Sequence, residues 1–308
     1  MFARAELHGV AGVIWDAWKE AGEPVDGPLR RKLEARALAR DMDHAAHLAV
    51  LRQIDAALTT PAIALKGALF AERYYPRPSS RGTTDIDLLV AKADIGRAIE
   101  SLASIGFQVA DSLEKVQWAL REHHHLLLLR PNAPALELHF HAYRGFGVTL
   151  RTELLAERSV LAMGFDTLRV PCLEDELVYL AVHAAAHRFG RLAWLHDLRL
   201  VVERMTPSAL EAAAARARDW GFARALSLAG ELLVLVLGVE PEAVRPLGTL
   251  SRSRRALVHA VVVEPRSRLM CAATRFAYAT MLADSAAASL RYARSYSVDR
   301  TRKLLGLV

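Results

Sequence analysis

Asp85 and Asp87 stand one residue apart at the head of an apolar run, in "SSRGTTDIDLLV" (residues 79–90). On a strand, alternation turns Asp85, Asp87 and Leu89 to one face and Ile86, Leu88 and Val90 to the other. Neighbouring carboxylates repel and raise each other's pKa unless a cation lies between them, so the pair is either solvated at a strand end or holds metal. A third carboxylate comes from "ALELHF" (135–140), where Glu137 and His139 share a face opposite Leu136, Leu138 and Phe140. If the two strands pair, Asp85, Asp87 and Glu137 converge as a site for one or two Mg2+ (or Mn2+) ions with room for phosphate oxygens, the arrangement needed for phosphoryl or nucleotidyl transfer. Upstream, Lys66-Gly67 lies between the apolar "PAIAL" and the helical "ALFAERYY". Free N–H groups at a strand-to-helix junction suit a phosphate; Gly67 lets backbone approach it, and Lys66 and Arg81 supply charge for a triphosphate. Taken singly, each is equally a tight turn or a surface charge.

The histidines leave more than one reading open. His183 and His187 are four apart on a predicted helix, and His196-Asp197 follow. They read as a second metal site of the HD-phosphohydrolase kind, as nucleotide or acceptor contacts made by His187, Arg188 and Asp197 at the mouth of a cleft, or as helix-packing residues. His123, His124 and His125 begin an apolar run and are either a solvated strand start or metal ligands. His139 either orients Glu137, contacts substrate or is structural, and His141 shares its face.

These residues need elements to hold them. The chain has 308 residues, 53% hydrophobic and 7% aromatic, enough for one large core or two smaller ones. Its first twenty residues read as a helix with Leu7, Val10, Ile14 and Trp18 on one stripe, followed by a longer helix from Pro28 to Leu58 with an Asp26 cap. Short strands are predicted in "PAIAL", "DIDLLV", "HHHLLLLR", "ALELHFH" and "TLRVP", with helices at 68–75 and 93–104. From Leu173 onward the pattern is helical, broken at Gly190, Pro207, Gly238–Pro246 and Pro265. The expected plan is α+β: a helical N-terminal arm (1–60), a small mixed-sheet core (61–170) and an all-helical C-terminal half (171–308). No basic leader or membrane-length apolar run is evident, and Cys172 and Cys271 are isolated, so the expectation is a cytoplasmic protein without membrane contact. The net charge of +6 is concentrated after Ser251, with 11 Arg and Lys against 3 Asp and Glu. That segment reads as a contact surface for a polyanion such as tRNA or a nucleotide phosphate, or as solvated helix faces.

The run "LKGALFAERYYPRPSSRGTTDIDLLV" followed by "LELHF", together with "LAVHAAAHRFGRLAWLHDLRLV" and "HGVAGVIWDAWKEAG", resembles a bacterial nucleotidyltransferase family of the polymerase-beta-like superfamily. The resemblance spans roughly residues 7–205. It implies a nucleotidyltransferase core and metal-dependent transfer of a nucleoside monophosphate from an NTP, with Asp85 and Asp87 as metal ligands and Glu137 as third ligand or general base. Lys66, Gly67 and Arg81 would cradle the triphosphate. Gly67-Ala68 stands where the superfamily usually has Gly-Ser or Gly-Gly, and the gap to Asp85 is longer. The acceptor is left open: a small molecule, a peptide or an RNA, the last in the manner of abortive-infection toxins that act on tRNA. A silent binding module with the same fold is the competing class.

Overall fold

The computed structural model describes residues 2–22, 24, 26–256 and 271–304, parts of the last stretch as backbone only. The first helical stretch is two helices, α1 (Phe2–Leu7) and α2 (Ala11–Glu20), because Gly9 takes φ +70°. That turn resets the helical phase, which corrects the expected stripe: Ala5, Ala11 and Trp15 are buried, while Leu7 and Ile14 are 69% and 42% exposed. The next helix, α3 (Gly27–Ala57), matches its sequence signals, with the Asp26 carboxylate accepting from the Leu29 N–H at 2.8 Å and Pro28 in the first turn.

A seven-stranded mixed sheet follows from the short apolar runs. Its strands are β1 (Ala62–Ala64), β2 (Asp85–Leu89), β3 (Gln108–Val109), β4 (His125–Leu129), β5 (Ala135–His139) and, further on, Val160–Leu161 and Leu168–Val170. They lie in the order β3-β4-β5-β2-β1, then Leu168–Val170, then Val160–Leu161. β2 runs parallel to β5 at the middle, and β4 is antiparallel to β5. The apolar face of these central strands carries Ile86, Leu88, Leu136, Leu138, Leu126 and Leu128. It is covered by Val50, Leu51 and Ile54 of α3 and by Ala98 and Leu102 of a helix at Ile95–Ser104. With one face sealed, the polar residues at alternate positions are left on the other.

The chain gathers into two compact units. The first holds residues 1–141, 152–172 and 191–193, including all seven strands. The second holds residues 142–151, 173–190 and 194–308. All but the first residue of a hairpin, His141–Gly145 with Val148–Arg151, lies in it; "HAYRGFGVTL" carries no expectation of this hairpin, whose turn is made by Phe146 and Gly147, both at positive φ. Its other elements among the described residues are helices, among them Leu173–Ala186, Pro207–Trp220 and Ala223–Leu237. No helix among the described residues is long and apolar enough to cross a membrane. The expected break at Pro265 and the side chain of Cys271 lie outside the described residues.

Within the first unit, α2 and α3 grip the loop that leads into β2. Arg77 donates to Asp16 of α2 at 3.0 Å and to Asp41 of α3 at 2.6 Å; Ser80 donates to Asp16 and Ser79 to Asp41. The approach is close enough that a Cβ on Gly12 would stand 2.4 Å from the Ser80 carbonyl oxygen. Gly12→Ala should therefore lower the thermal midpoint measured by circular dichroism. Overpacking costs about 1–3 kcal/mol, against the roughly 1 kcal/mol that alanine returns to a helix. A raised midpoint would show that the loop gives way.

Candidate active site

The site is built on β2, β5 and the end of β1. In the parallel register Asp85 faces Ala135, Asp87 faces Glu137 and Leu89 faces His139. Alternation on both strands thus places Asp85, Asp87, Glu137 and His139 on one sheet face, and one carboxylate oxygen from each of Asp85, Asp87 and Glu137 lies within 4.8 Å of the other two. Asp87 is buried at 2% exposure, whereas Asp85 and Glu137 each keep 31% of their side chains accessible. The cluster is sealed at its root and open at its rim.

Lys66 leaves β1 beside these carboxylates. Its ammonium lies 2.5 Å from Asp87 Oδ2 and 3.3 Å from Asp85 Oδ2. The other oxygen of Asp87 accepts from His139 Nε2 at 3.3 Å, and the same ring nitrogen is 3.4 Å from Glu137 Oε2. Burial pushes the Asp87 carboxyl up, but the Lys66 ammonium and the His139 hydrogen bond outweigh it and hold Asp87 well below the usual carboxylate range. For Lys66, burial works against the charged form, yet Asp87 and Asp85 keep the ammonium above its ordinary value. The hydrogen bond from His139 holds the Glu137 carboxyl down. Asp87 Oδ2 has the Lys66 ion pair but no aligned hydrogen bond. Three hard oxygen donors in van der Waals reach of one point, one of them without an aligned donor, are a fit for Mg2+ or Mn2+.

Gly67 takes φ +82° and ψ −140°, a conformation essentially reserved for glycine, and opens the helix Ala68–Tyr74 directly after Lys66. Arg81 is 8% exposed, its guanidinium 5.3 Å from the centre of the Phe70 ring, and its charge is felt at Lys66. It is therefore anchored in the loop wall.

His187, Arg188 and Asp197 belong to the second unit. His187 and Arg188 follow the helix Leu173–Ala186 and line a cavity of about 320 Å3 with Tyr143, Phe146, Tyr278 and Tyr292. Arg188 adopts φ +55° as the helix terminates, its N–H bonded to the Ala185 carbonyl. His183 and His187 pack on Trp194, ring centres 5.4 and 5.1 Å away, and Asp197 is buried at 1% exposure. Among the described residues no cluster of potential metal ligands includes His183, His187, His196 or Asp197, so the HD-type reading gains no support. Of the basic segment after Ser251, Arg255 pairs with Glu231 and Arg291 donates to the Gly147 carbonyl, while residues 257–270 lie outside the described ones.

Two features escaped sequence reasoning. The clamp of Arg77, Ser79 and Ser80 on Asp16 and Asp41 joins residues 36 to 64 positions apart and leaves no local signal. The second is the contact of His125 with Glu137 and His139, for which the "HHH" before an apolar strand was a signal without a partner.

With this geometry in hand, the chain belongs to a family described as "Uncharacterised nucleotidyltransferase", whose profile matches residues 1–238. No curated protein matches the sequence significantly. The solution structure of the antibiotic-resistance factor ANT(2″)-Ia is similar over 56% of this chain and 90% of its own, at 15% identity and a TM-score of 0.40.

Proposed function

We propose that this nucleotidyltransferase-family protein catalyses magnesium-dependent (or manganese-dependent) transfer of a nucleoside monophosphate from an NTP to a hydroxyl or phosphate of an acceptor. The observation that supports it is the convergence of Asp85, Asp87 and Glu137 on adjacent parallel strands, with Lys66-Gly67 at the neighbouring strand end. In the reaction an acceptor oxygen attacks the α-phosphorus, the bond to the bridging oxygen breaks and pyrophosphate leaves. Asp85, Asp87 and Glu137 would hold the divalent ion, which supplies positive charge to the phosphate oxygens. Glu137, partly exposed, is the third ligand or takes the acceptor's proton.

His139 orients both Asp87 and Glu137 through one N–H. Lys66 contributes a fixed positive charge, Gly67 admits the triphosphate close to backbone, and Arg81 stiffens the loop beside it and adds to the local potential. His187 and Arg188, with their aromatic cavity, and Asp197 are assigned to binding the nucleotide or acceptor.

The test is calorimetric titration of ATP, GTP, CTP and UTP with Mg2+ or Mn2+, followed by an acceptor screen with α-labelled nucleotide. The expected result is binding of at least one NTP that requires the metal. Binding that ignores the metal, or none with any NTP, would sink the enzymatic reading in favour of a binding module. In the acceptor screen, RNA retention that falls steeply with salt would identify RNA as the acceptor class.

A further inference from the structure

β4 brings a different kind of ligand to the edge of the carboxylate cluster. His125 faces His139 directly across the antiparallel β4–β5 pair, with ring centres 5.0 Å apart. Glu137, two residues before His139, shares their face, and one ligand atom from each of His125, Glu137 and His139 lies within 4.8 Å of the others. The Nδ1 atoms of His125 and His139 are both buried and make no hydrogen bond, and the His139 side chain is only 5% exposed. A buried ring nitrogen with no donor facing it loses its hydration for nothing unless something else binds its lone pair. The His139 ring is also held as metal-bound histidines are: its Nε2 lies 3.3 Å from Asp87 Oδ1 and 3.4 Å from Glu137 Oε2, which places this nitrogen beside the Glu137 carboxylate.

We propose that His125, Glu137 and His139 form a second metal site, which takes a borderline divalent cation of the zinc class and shares Glu137 with the all-carboxylate site. The donor chemistry separates the two. Asp85 and Asp87 offer only hard oxygens, which suit Mg2+ or Mn2+, whereas two imidazoles and one carboxylate suit Zn2+ or Co2+ and hold Mg2+ poorly. Two imidazoles and a carboxylate also leave coordination positions open for water or a ligand oxygen. The protein would thus carry two unlike cations bridged by Glu137, and its response to metals would not be that of Mg2+ alone.

Co2+ is the probe, because its visible d–d bands report nitrogen and oxygen ligation at low coordination number. Titrated into the metal-stripped full-length protein, Co2+ should give intense bands that saturate at one equivalent, are displaced by Zn2+ and persist in millimolar Mg2+. His125→Ala should weaken Co2+ binding at least about tenfold. Asp85→Asn should keep the bands while losing metal-dependent NTP binding, so that failure of the zinc-class site and failure of the nucleotidyl-transfer reading give different results. Bands unchanged in His125→Ala, or no bands in the wild type, would overturn the proposal. If His125→Ala does not fold, the Co2+-loaded wild type still decides: paramagnetically shifted imidazole proton resonances are expected, and their absence counts against the site.

Discussion

Asp87→Asn is expected to reduce nucleotidyl transfer by roughly a thousandfold and to abolish metal-dependent NTP binding, because a ligand charge worth several kcal/mol of phosphate stabilisation is lost. Both Asp87 oxygens are in use, one by Lys66 and one by His139, and the residue is buried at the root of the cluster. Asparagine keeps the shape and one acceptor oxygen, while Asp85 remains 3.3 Å from the Lys66 ammonium to pair it. The fold should therefore survive, with a modest drop in thermal midpoint as the control. Measured by release of labelled pyrophosphate at saturating Mg2+, a variant retaining more than a tenth of wild-type transfer would show that Asp87 is a structural carboxylate.

Lys66→Met carries the largest expected effect on stability. The ammonium is 11% exposed and lies against two carboxylates, and removing one partner from a buried ion pair costs about 3–5 kcal/mol because the remaining charge is left uncompensated. Here the remaining charge is Asp87, with Asp85 and Glu137 close by and His139 beside them. A divalent cation binding among the carboxylates would supply the missing positive charge, and a ligand that binds only the folded state raises its stability. Millimolar Mn2+ should thus raise the melting temperature of Lys66→Met by more than it raises that of the wild type. Equal shifts in both proteins, or a variant that melts with the wild type, would mean that Lys66 does not balance the cluster.

The legible part of this molecule was its local chemistry. The two aspartates, Glu137 and His139 were assignable to strand faces from alternation alone, and α3 was readable from Asp26, Pro28 and its apolar spacing. Apolar spacing runs on across Gly9 and so hides the break between the first two helices, and the glycines of the hairpin after His139 resemble those of an ordinary loop. Arg81 was legible as a charge near the aspartates but not as one stacked on Phe70, since the ring lies eleven residues away on a different element.

By itself the sequence determined which residue types stand on which face, where Gly67 must turn the chain, and that three carboxylates are available to a common site. Those follow from period-two geometry and from allowed backbone angles, which act over a few residues. Tertiary structure decided that β5 lies beside β2, parallel and with Asp87 opposite Glu137, that Lys66 points into the carboxylates, and that His125 meets His139. It also decided that Asp16 and Asp41 hold the loop before β2. Each of these joins residues 14 to 64 positions apart, and such pairings are selected by how the whole apolar face of the sheet is buried, which no local pattern encodes.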